Sequence, residues 1–411
     1  MNRLEELKRK LEEYGQTHLI SFLNELTEQE KEEYINRLEQ IDFEQADSLY
    51  KSRNDISHEQ EKIEPMAYVD RLKLSDEEKD KYTKIGEEII RRGKFASVTM
   101  AGGQGTRLGH TGPKGTYMLP LDKPKSLFEI CSDTLKRAKG KYNVFIPWYI
   151  MTSRENNDDT VKFFEDNNYF GYPKENITFF KQGELPMIAE DGKILLETKS
   201  KVREAANGSG AIFEAMKRNG ILDDMNRRGI EWIFIGGIDN ILLNPVDPLF
   251  IGMTSEYKLK AGSKTIVKRD PYEKVGVFLK SNGRPKVIEY TEVTEEMANM
   301  RDDKGEFCYG ESHILCNLFN ISVLEQIGDE KLPYHTAYKK SNYIDENGNE
   351  IVPDSPNAYK FEAFIFDSFT KVDDMLLLRS IREHEFAPIK NKEGQDSPKT
   401  ALELYKKYWN I

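Results

Sequence analysis

The sequence is poor in cysteine, has no long apolar run and carries no excess of positive charge. Three cysteines, Cys131, Cys308 and Cys316, are spread over 411 residues. They are too few and too scattered for a disulfide framework or a cysteine-ligated zinc site. No apolar stretch approaches the roughly 20 residues that cross a bilayer. Charged Arg3, Glu5 and Glu6 stand where an export signal needs its apolar segment. A cytoplasmic protein without membrane contact is expected. Lys and Arg number 60 against 71 Asp and Glu, a net charge of −11, so nucleic acid finds no broad basic field and is not an expected partner. Core-forming material is plentiful: 38% apolar residues exclude a disordered chain, and the length allows two or three domains.

The first ninety or so residues read as helices. Leu4, Leu7, Leu11 and Tyr14 share one helical face, and Leu19, Phe22, Leu23 and Leu26 extend the apolar pattern. Thr27 with Glu30, and Ser75 with Glu78, read as capping boxes opening further helices. The second predicts a buried stripe of Tyr82, Ile85 and Ile89 and a stop at Gly93. A polar connection is expected over 51–65. From Phe95 the pattern changes. Apolar runs at 95–101, 144–152, 177–181 and 232–238 alternate with helical patterns that include 160–168 and 211–218. That order predicts an α/β fold, a Rossmann-like, mostly parallel central sheet with helices on both faces, beside a helical N-terminal region. Such sheets bind ligands beyond the carboxyl ends of their strands, so the loops after Ala101, Lys181 and Ile238 are the places to search. Asn282-Gly283 between alternating segments predicts a hairpin, and Asn347-Gly348 another turn. Residues 361–369 read as helical, 375–381 as extended and 400–409 as helical.

The segment Ala101-Gly102-Gly103-Gln104-Gly105-Thr106-Arg107-Leu108-Gly109, followed by Pro113-Lys114-Gly115, is the most informative. Glycines after a strand let the backbone turn sharply and bring its N–H groups close to a ligand. Arg107 and Lys114 make the loop suited to several phosphate oxygens. A Walker loop is excluded because no Gly-Lys-Ser/Thr follows at the required spacing. The dinucleotide fingerprint fails too, since Leu108 stands where its third glycine belongs.

This loop resembles the signature of the UDP-sugar pyrophosphorylases (UTP:sugar-1-phosphate uridylyltransferases), and most nearly the UDP-N-acetylhexosamine pyrophosphorylases. Further segments occur in that family's order: Trp148-Tyr149-Ile150-Met151-Thr152-Ser153, Phe180-Lys181-Gln182-Gly183, Asp239-Asn240-Ile241-Leu242, Val287-Ile288-Glu289-Tyr290, Pro356-Asn357 with Lys360, and Phe386-Ala387-Pro388-Ile389-Lys390-Asn391. The resemblance implies a fold of the nucleotide-diphospho-sugar transferase type. It also implies a helical region over 1–93, a catalytic domain over 94–375 and a short C-terminal segment over 376–411. The implied reaction joins UTP and a sugar 1-phosphate into a UDP-sugar and pyrophosphate. By resemblance, Gly102, Gly103 and Gln104 line the uridine and phosphate site and Gln182 bonds the uracil. Arg107 holds the pyrophosphate, Lys114 the α-phosphate, and Lys390 and Lys360 further phosphate oxygens. Gly208 belongs to the nucleotide set. Asp239 holds Mg²⁺, with Mn²⁺ as an alternative, a hard oxygen ligand for a hard ion. Glu289 accepts from sugar hydroxyls.

Two segments depart from the family pattern. Gly208-Ser209-Gly210-Ala211 stands where the family has Gly-Asn-Gly-Gly, and His313 stands where it has an amide. Ser209 and His313 are therefore the expected sugar-side residues, and N-acetylglucosamine 1-phosphate is the first expectation, glucose or galactose 1-phosphate the next. A catalytically silent UDP-sugar-binding or regulatory protein of the same fold is the alternative. A monomer is expected, because little chain follows Lys390.

Overall fold

A computed structural model describes residues 3–54 and 61–411. Residues 55–60 of the expected polar connection, and Met1 and Asn2, lie outside the described residues. The chain divides into two compact units. The larger comprises 60–182, 212–331 and 366–411, and the smaller 1–59, 183–211 and 332–365. Each draws on separated stretches of sequence. The contiguous segments 1–93, 94–375 and 376–411 therefore do not correspond to the compact units, because the chain leaves the larger unit after Gln182 and after Lys331 and returns to it at Ile212 and Phe366.

The larger unit is built on one sheet. Besides the short edge strand Ile63–Pro65, which pairs antiparallel with Val277–Ser281, its strands are β1 (Val69–Asp70), β2 (Phe95–Met100), β3 (Trp148–Thr152), β4 (Ile177–Lys181), β5 (Trp232–Gly237), β6 (Ala261–Val267), β7 (Val277–Ser281), β8 (Arg284–Ile288), β9 (Glu311–Asn320) and β10 (Leu376–Arg379). The main path runs β1-β10-β6-β9-β5-β2-β3-β4. Neighbours are parallel except that β9 runs antiparallel between β6 and β5. Five consecutive residues of β2 and all of β3 and β5 are buried. Successive side chains point to opposite faces, so both faces of these central strands are covered. The 144–152 run becomes a strand only from Trp148, after Pro147. The β7–β8 hairpin turns through Asn282 (φ 49°) and Gly283 (φ 79°), the positive-φ pair that an Asn-Gly two-residue turn supplies.

Both capping boxes are present, at Thr27/Glu30 in the smaller unit and at Ser75/Glu78 in the larger. In the helix Asp76–Arg91 the fully buried face is Tyr82, Gly86 and Ile90, with Ile85 and Ile89 packed beside it. The stripe is turned because this helix crosses Pro248–Glu256 at backbone contact. A Cβ on Gly86 would lie 1.9 Å from the Pro248 carbonyl oxygen, and one on Gly252 would lie 1.9 Å from that of Tyr82.

In the smaller unit the helix Arg3–Glu13 buries Leu7 and Leu11 in a core with Leu19, Phe43, Ile188, Leu196 and Phe361. The helix expected over 361–369 is not formed. Ala358–Glu362 is a strand between His335–Lys339 and Ile188–Ala189, and a 3-10 turn covers Ile365–Lys371. Pairing on both sides satisfies a backbone that an apolar pattern of that length could not assign. Among the described residues no helix is long and apolar enough to cross a membrane.

Candidate nucleotide-binding site

Parallel pairing of β5, β2, β3 and β4 brings their carboxyl ends to one edge of the larger unit. There the glycine loop follows β2, Gln182 follows β4 and Asp239 follows β5. The glycine loop is folded on itself. The Lys114 N–H donates to the Gly103 carbonyl (3.0 Å) and the Gly105 N–H to that of Gly112 (2.9 Å). The Asn156 amide, itself buried, donates to the Ala101 carbonyl (2.9 Å). Among the described residues the N–H groups of Gly102, Gly103 and Gln104 donate to no backbone carbonyl. A Cβ on Gly103 would meet nothing within 4 Å. That is an open backbone cradle for an anion.

Gly102 has a different reason to lack a side chain. Its Cβ would lie 2.8 Å from the Gln182 amide. Gln182, 7% exposed, is held by its N–H donating to the Thr152 carbonyl (2.8 Å). Gln104 Oε1 is buried without a partner, an acceptor that a bound donor would satisfy.

The charged groups converge. Lys114 Nζ lies 3.9 Å from Asp239 Oδ2, both side chains part-exposed. Burial pushes the Lys114 ammonium below the usual lysine value. Asp239 opposes this, and Lys390 and Arg107 lower it further. All three charges thus act on the Lys114 ammonium. Lys390 reaches this place through Asn240, whose amide donates to the Glu385 carbonyl (2.6 Å) and accepts from the Ala387 N–H (2.9 Å). The Ile389 N–H then donates to the Asp239 carbonyl (2.9 Å). Nothing in the local sequence signals that contact, which is made between residues 150 positions apart. Among the described residues no group of three or more His, Cys, Asp and Glu could hold a metal ion. A single part-exposed carboxylate still fits Mg²⁺, which takes one or two carboxylates and completes its shell with phosphate oxygens and water.

His313 and Glu289 lie further along the same unit. The His313 N–H donates to the Gly276 carbonyl (2.9 Å), and Val277 pairs with Ile288, the residue before Glu289. The His313 ring meets the rings of Phe278, Phe366 and Phe369 at 5.6–5.8 Å. Burial pushes its pKa down to about 4, so the imidazole is neutral and Nε2–H donates to Asn317 Oδ1 (3.2 Å). Lys286 of β8, three residues before Glu289, pairs with Glu61 (2.7 Å).

A bulge that sequence reasoning missed interrupts β9. Ser263 pairs with Asn317 and Thr265 with His313, leaving Ile314, Leu315 and Cys316 opposite Lys264 alone. Leu315 has φ +56°, a strained value for a side chain of this size. A Cβ on Gly237 would lie 2.9 Å from Leu315 and 2.7 Å from Asp239, so the bulge, Gly237 and Asp239 interlock.

Gly208, Ser209 and Lys360 belong to the smaller unit. Gly208 has φ +92°, and its Cβ would lie 2.2 Å from the Ala363 carbonyl oxygen. Ser209 Oγ accepts from the Ile365 N–H (3.0 Å), and Lys360 pairs with Glu362 (2.8 Å). The Ser209 hydroxyl is thus part of the loop's own bonding.

A model of the family described as UTP--glucose-1-phosphate uridylyltransferase matches residues 41–397. The UDP-N-acetylglucosamine pyrophosphorylase of Saccharomyces cerevisiae is 35% identical, covering 96% of this chain and 88% of its own. A UDP-N-acetylhexosamine pyrophosphorylase-like protein 1 from Xenopus tropicalis is also 35% identical, covering 97% and 82%. The solved uridine diphosphate N-acetylglucosamine pyrophosphorylase of Trypanosoma brucei, in complex with an inhibitor, superposes with a TM-score of 0.85 at 29% identity, covering 98% of this chain and 84% of that one.

Proposed function

The chain belongs to the UTP--glucose-1-phosphate uridylyltransferase family, and from that premise we propose that it joins UTP and N-acetylglucosamine 1-phosphate into UDP-N-acetylglucosamine and pyrophosphate. A phosphate oxygen of the sugar phosphate attacks the α-phosphorus of UTP. The new P–O bond forms as the bond to the α–β bridging oxygen breaks, and pyrophosphate leaves with the electron pair. The nucleophile is already an anion, so no general base is needed. The barrier is the approach of two polyanions in line, and positioned charge is what lowers it.

The observation that carries this reading is the meeting of Lys114 and Asp239 at 3.9 Å, with Arg107 and Lys390 acting on the same ammonium, beside an open glycine cradle. Lys114 faces the charge that builds on the α-phosphoryl group, while Arg107 and Lys390 neutralise the remaining phosphates. Gln182 reads the uracil edge. Asp239 would hold Mg²⁺, or Mn²⁺ in its place, and the ion when bound would screen the phosphate charge. The sugar assignment is supported by the names of the relatives. The three cysteines, all unpaired, support a cytoplasmic location, and we take the protein as a monomer.

A pyrophosphate-release assay tests the reading, with UTP, ATP, CTP and dTTP each paired with N-acetylglucosamine, glucose and galactose 1-phosphates. UTP with N-acetylglucosamine 1-phosphate is expected to react fastest. No release with any UTP pair would favour the silent binding protein, and a faster glucose or galactose reaction would move the sugar.

A further inference from the structure

Directly behind Asp239 and Lys390 the larger unit buries three charges and backs them with a fourth that is partly exposed. Lys264, on β6 opposite the bulge in β9, has no exposed surface, and Glu385 and Asp247 are 4% and 5% exposed. Lys264 Nζ donates to Glu385 Oε2 (2.5 Å) and to the Asn244 carbonyl (3.0 Å), and lies 3.7 Å from Asp247. Arg71 completes the group, pairing with Glu385 (3.1 Å) and with Asp247. Asp247 also caps the helix Pro248–Glu256.

Buried ion groups are weak stabilisers, because desolvation offsets most of their attraction and apolar replacements of similar volume are often as stable. Geometry supplies the better reason for this one. Asn244 and Asp247 belong to the stretch that begins at Asp239, and Glu385 opens the stretch that ends at Lys390. Near the site the two stretches are joined by the Asn240–Pro388 bridge and by the Asn240 amide on the Glu385 carbonyl. Behind it the single ammonium of Lys264 holds both, one through a carbonyl and the other through a carboxylate. The Ile389 N–H on the Asp239 carbonyl (2.9 Å) ties the two stretches at the site itself, and the Asn240 and Lys264 fastenings fix the angle at which they meet.

We propose that Lys264 is a positioning residue for the transfer reaction, clamping the Asp239 loop to the Lys390 strand through Asn244 and Glu385. It touches no reacting atom. The claim rests on the uridylyltransferase reading above.

Three variants test it: K264M removes the ammonium, E385Q neutralises its carboxylate partner, and K264M/E385Q removes both charges and leaves the Arg71–Asp247 pair. The double variant is expected to unfold at a higher temperature than K264M, since Arg71 then balances Asp247 and the group carries no net charge, whereas K264M leaves two carboxylates to one arginine. Its kcat nevertheless falls about 10²-fold below wild type, the scale of a misplacement near 1 Å. Metal-free UTP binding, measured by calorimetry, stays within about twofold, because the cradle and Gln182 do not depend on the clamp. K264R is expected to recover part of the lost kcat. A double variant with wild-type kcat overturns the proposal, as does a kcat that simply tracks unfolding temperature across the series. Should K264M and the double variant both fail to fold, E385Q decides: reduced kcat with unchanged metal-free UTP binding supports the clamp, and unchanged kcat overturns it. Wild-type protein that releases no pyrophosphate from any UTP pair overturns the reaction and the clamp together. An active wild type beside an unaffected variant overturns the clamp alone.

Discussion

Two glycine-rich loops, one in each unit, use glycine for opposite purposes. In the larger unit Gly103 faces open space, and the loop leaves backbone N–H groups unspent. In the smaller unit Gly208 and Gly210 are pressed against the backbone of Ala363 and Phe364, where a Cβ would come within 2.2 and 2.7 Å of carbonyl oxygens. Sequence alone reads both as ligand loops. Their surroundings separate a backbone that stands open from one kept bare so that two stretches of chain can touch.

The largest expected effect lies on the open side. Lys114→Ala should lower turnover about 10²–10³-fold, the scale of losing one preorganised donor to a developing oxyanion; near-normal turnover would remove Lys114 from the mechanism. Nearly as large, but in stability, is Gly208→Ala. Positive φ and a backbone clash together should cost about 2–4 kcal/mol in a denaturant titration. Gly103→Ala should change stability by less than about 0.5 kcal/mol and instead raise the KM for UTP. Equal stability losses at the two glycines would erase the contrast. Asp239→Ala should move the magnesium titration of activity to higher concentration, and an unchanged titration would count against it as the ligand.

Subtler effects sharpen the comparison. His313→Asn should alter the ratio of kcat/KM between N-acetylglucosamine and glucose 1-phosphates by about tenfold, the order one hydrogen-bonding change in a closed site commands. An unaltered ratio would take His313 out of sugar recognition. The smallest effect is on pH. Lys114 is competent as the ammonium, which exists below its pKa. Because that pKa is lowered in the folded enzyme, the alkaline fall of kcat/KM should come at lower pH than an ordinary lysine would give. Arg107→Gln removes a neighbouring positive charge, so the fall should move upward; a downward shift would contradict the geometry.

The legibility of the chain follows how local each cause is. The capping boxes at Thr27 and Ser75, the Asn282-Gly283 turn and the strands at 95–100 and 177–181 follow from neighbours within a few residues, and they stand where the pattern places them. The strand Ala358–Glu362 does not, because its apolar residues are compatible with either period and only the flanking strands decide. Neither the Gly86–Gly252 crossing nor the bulge at Leu315 has a sequence signal of its own. Each is a contact between segments far apart in the chain.

The residues themselves determined the chemistry on offer: a glycine loop with two cations, a lone aspartate after a buried strand, and a late lysine, all short-range features of side-chain type and spacing. Which of these act together was decided only in three dimensions. Asn240 binds the Glu385–Ala387 backbone, Lys264 spans Asn244 and Glu385, and Lys390 is thereby delivered to Asp239. Hydrogen bonds and buried charges select their partners by position in space, and separation along the chain does not encode that position.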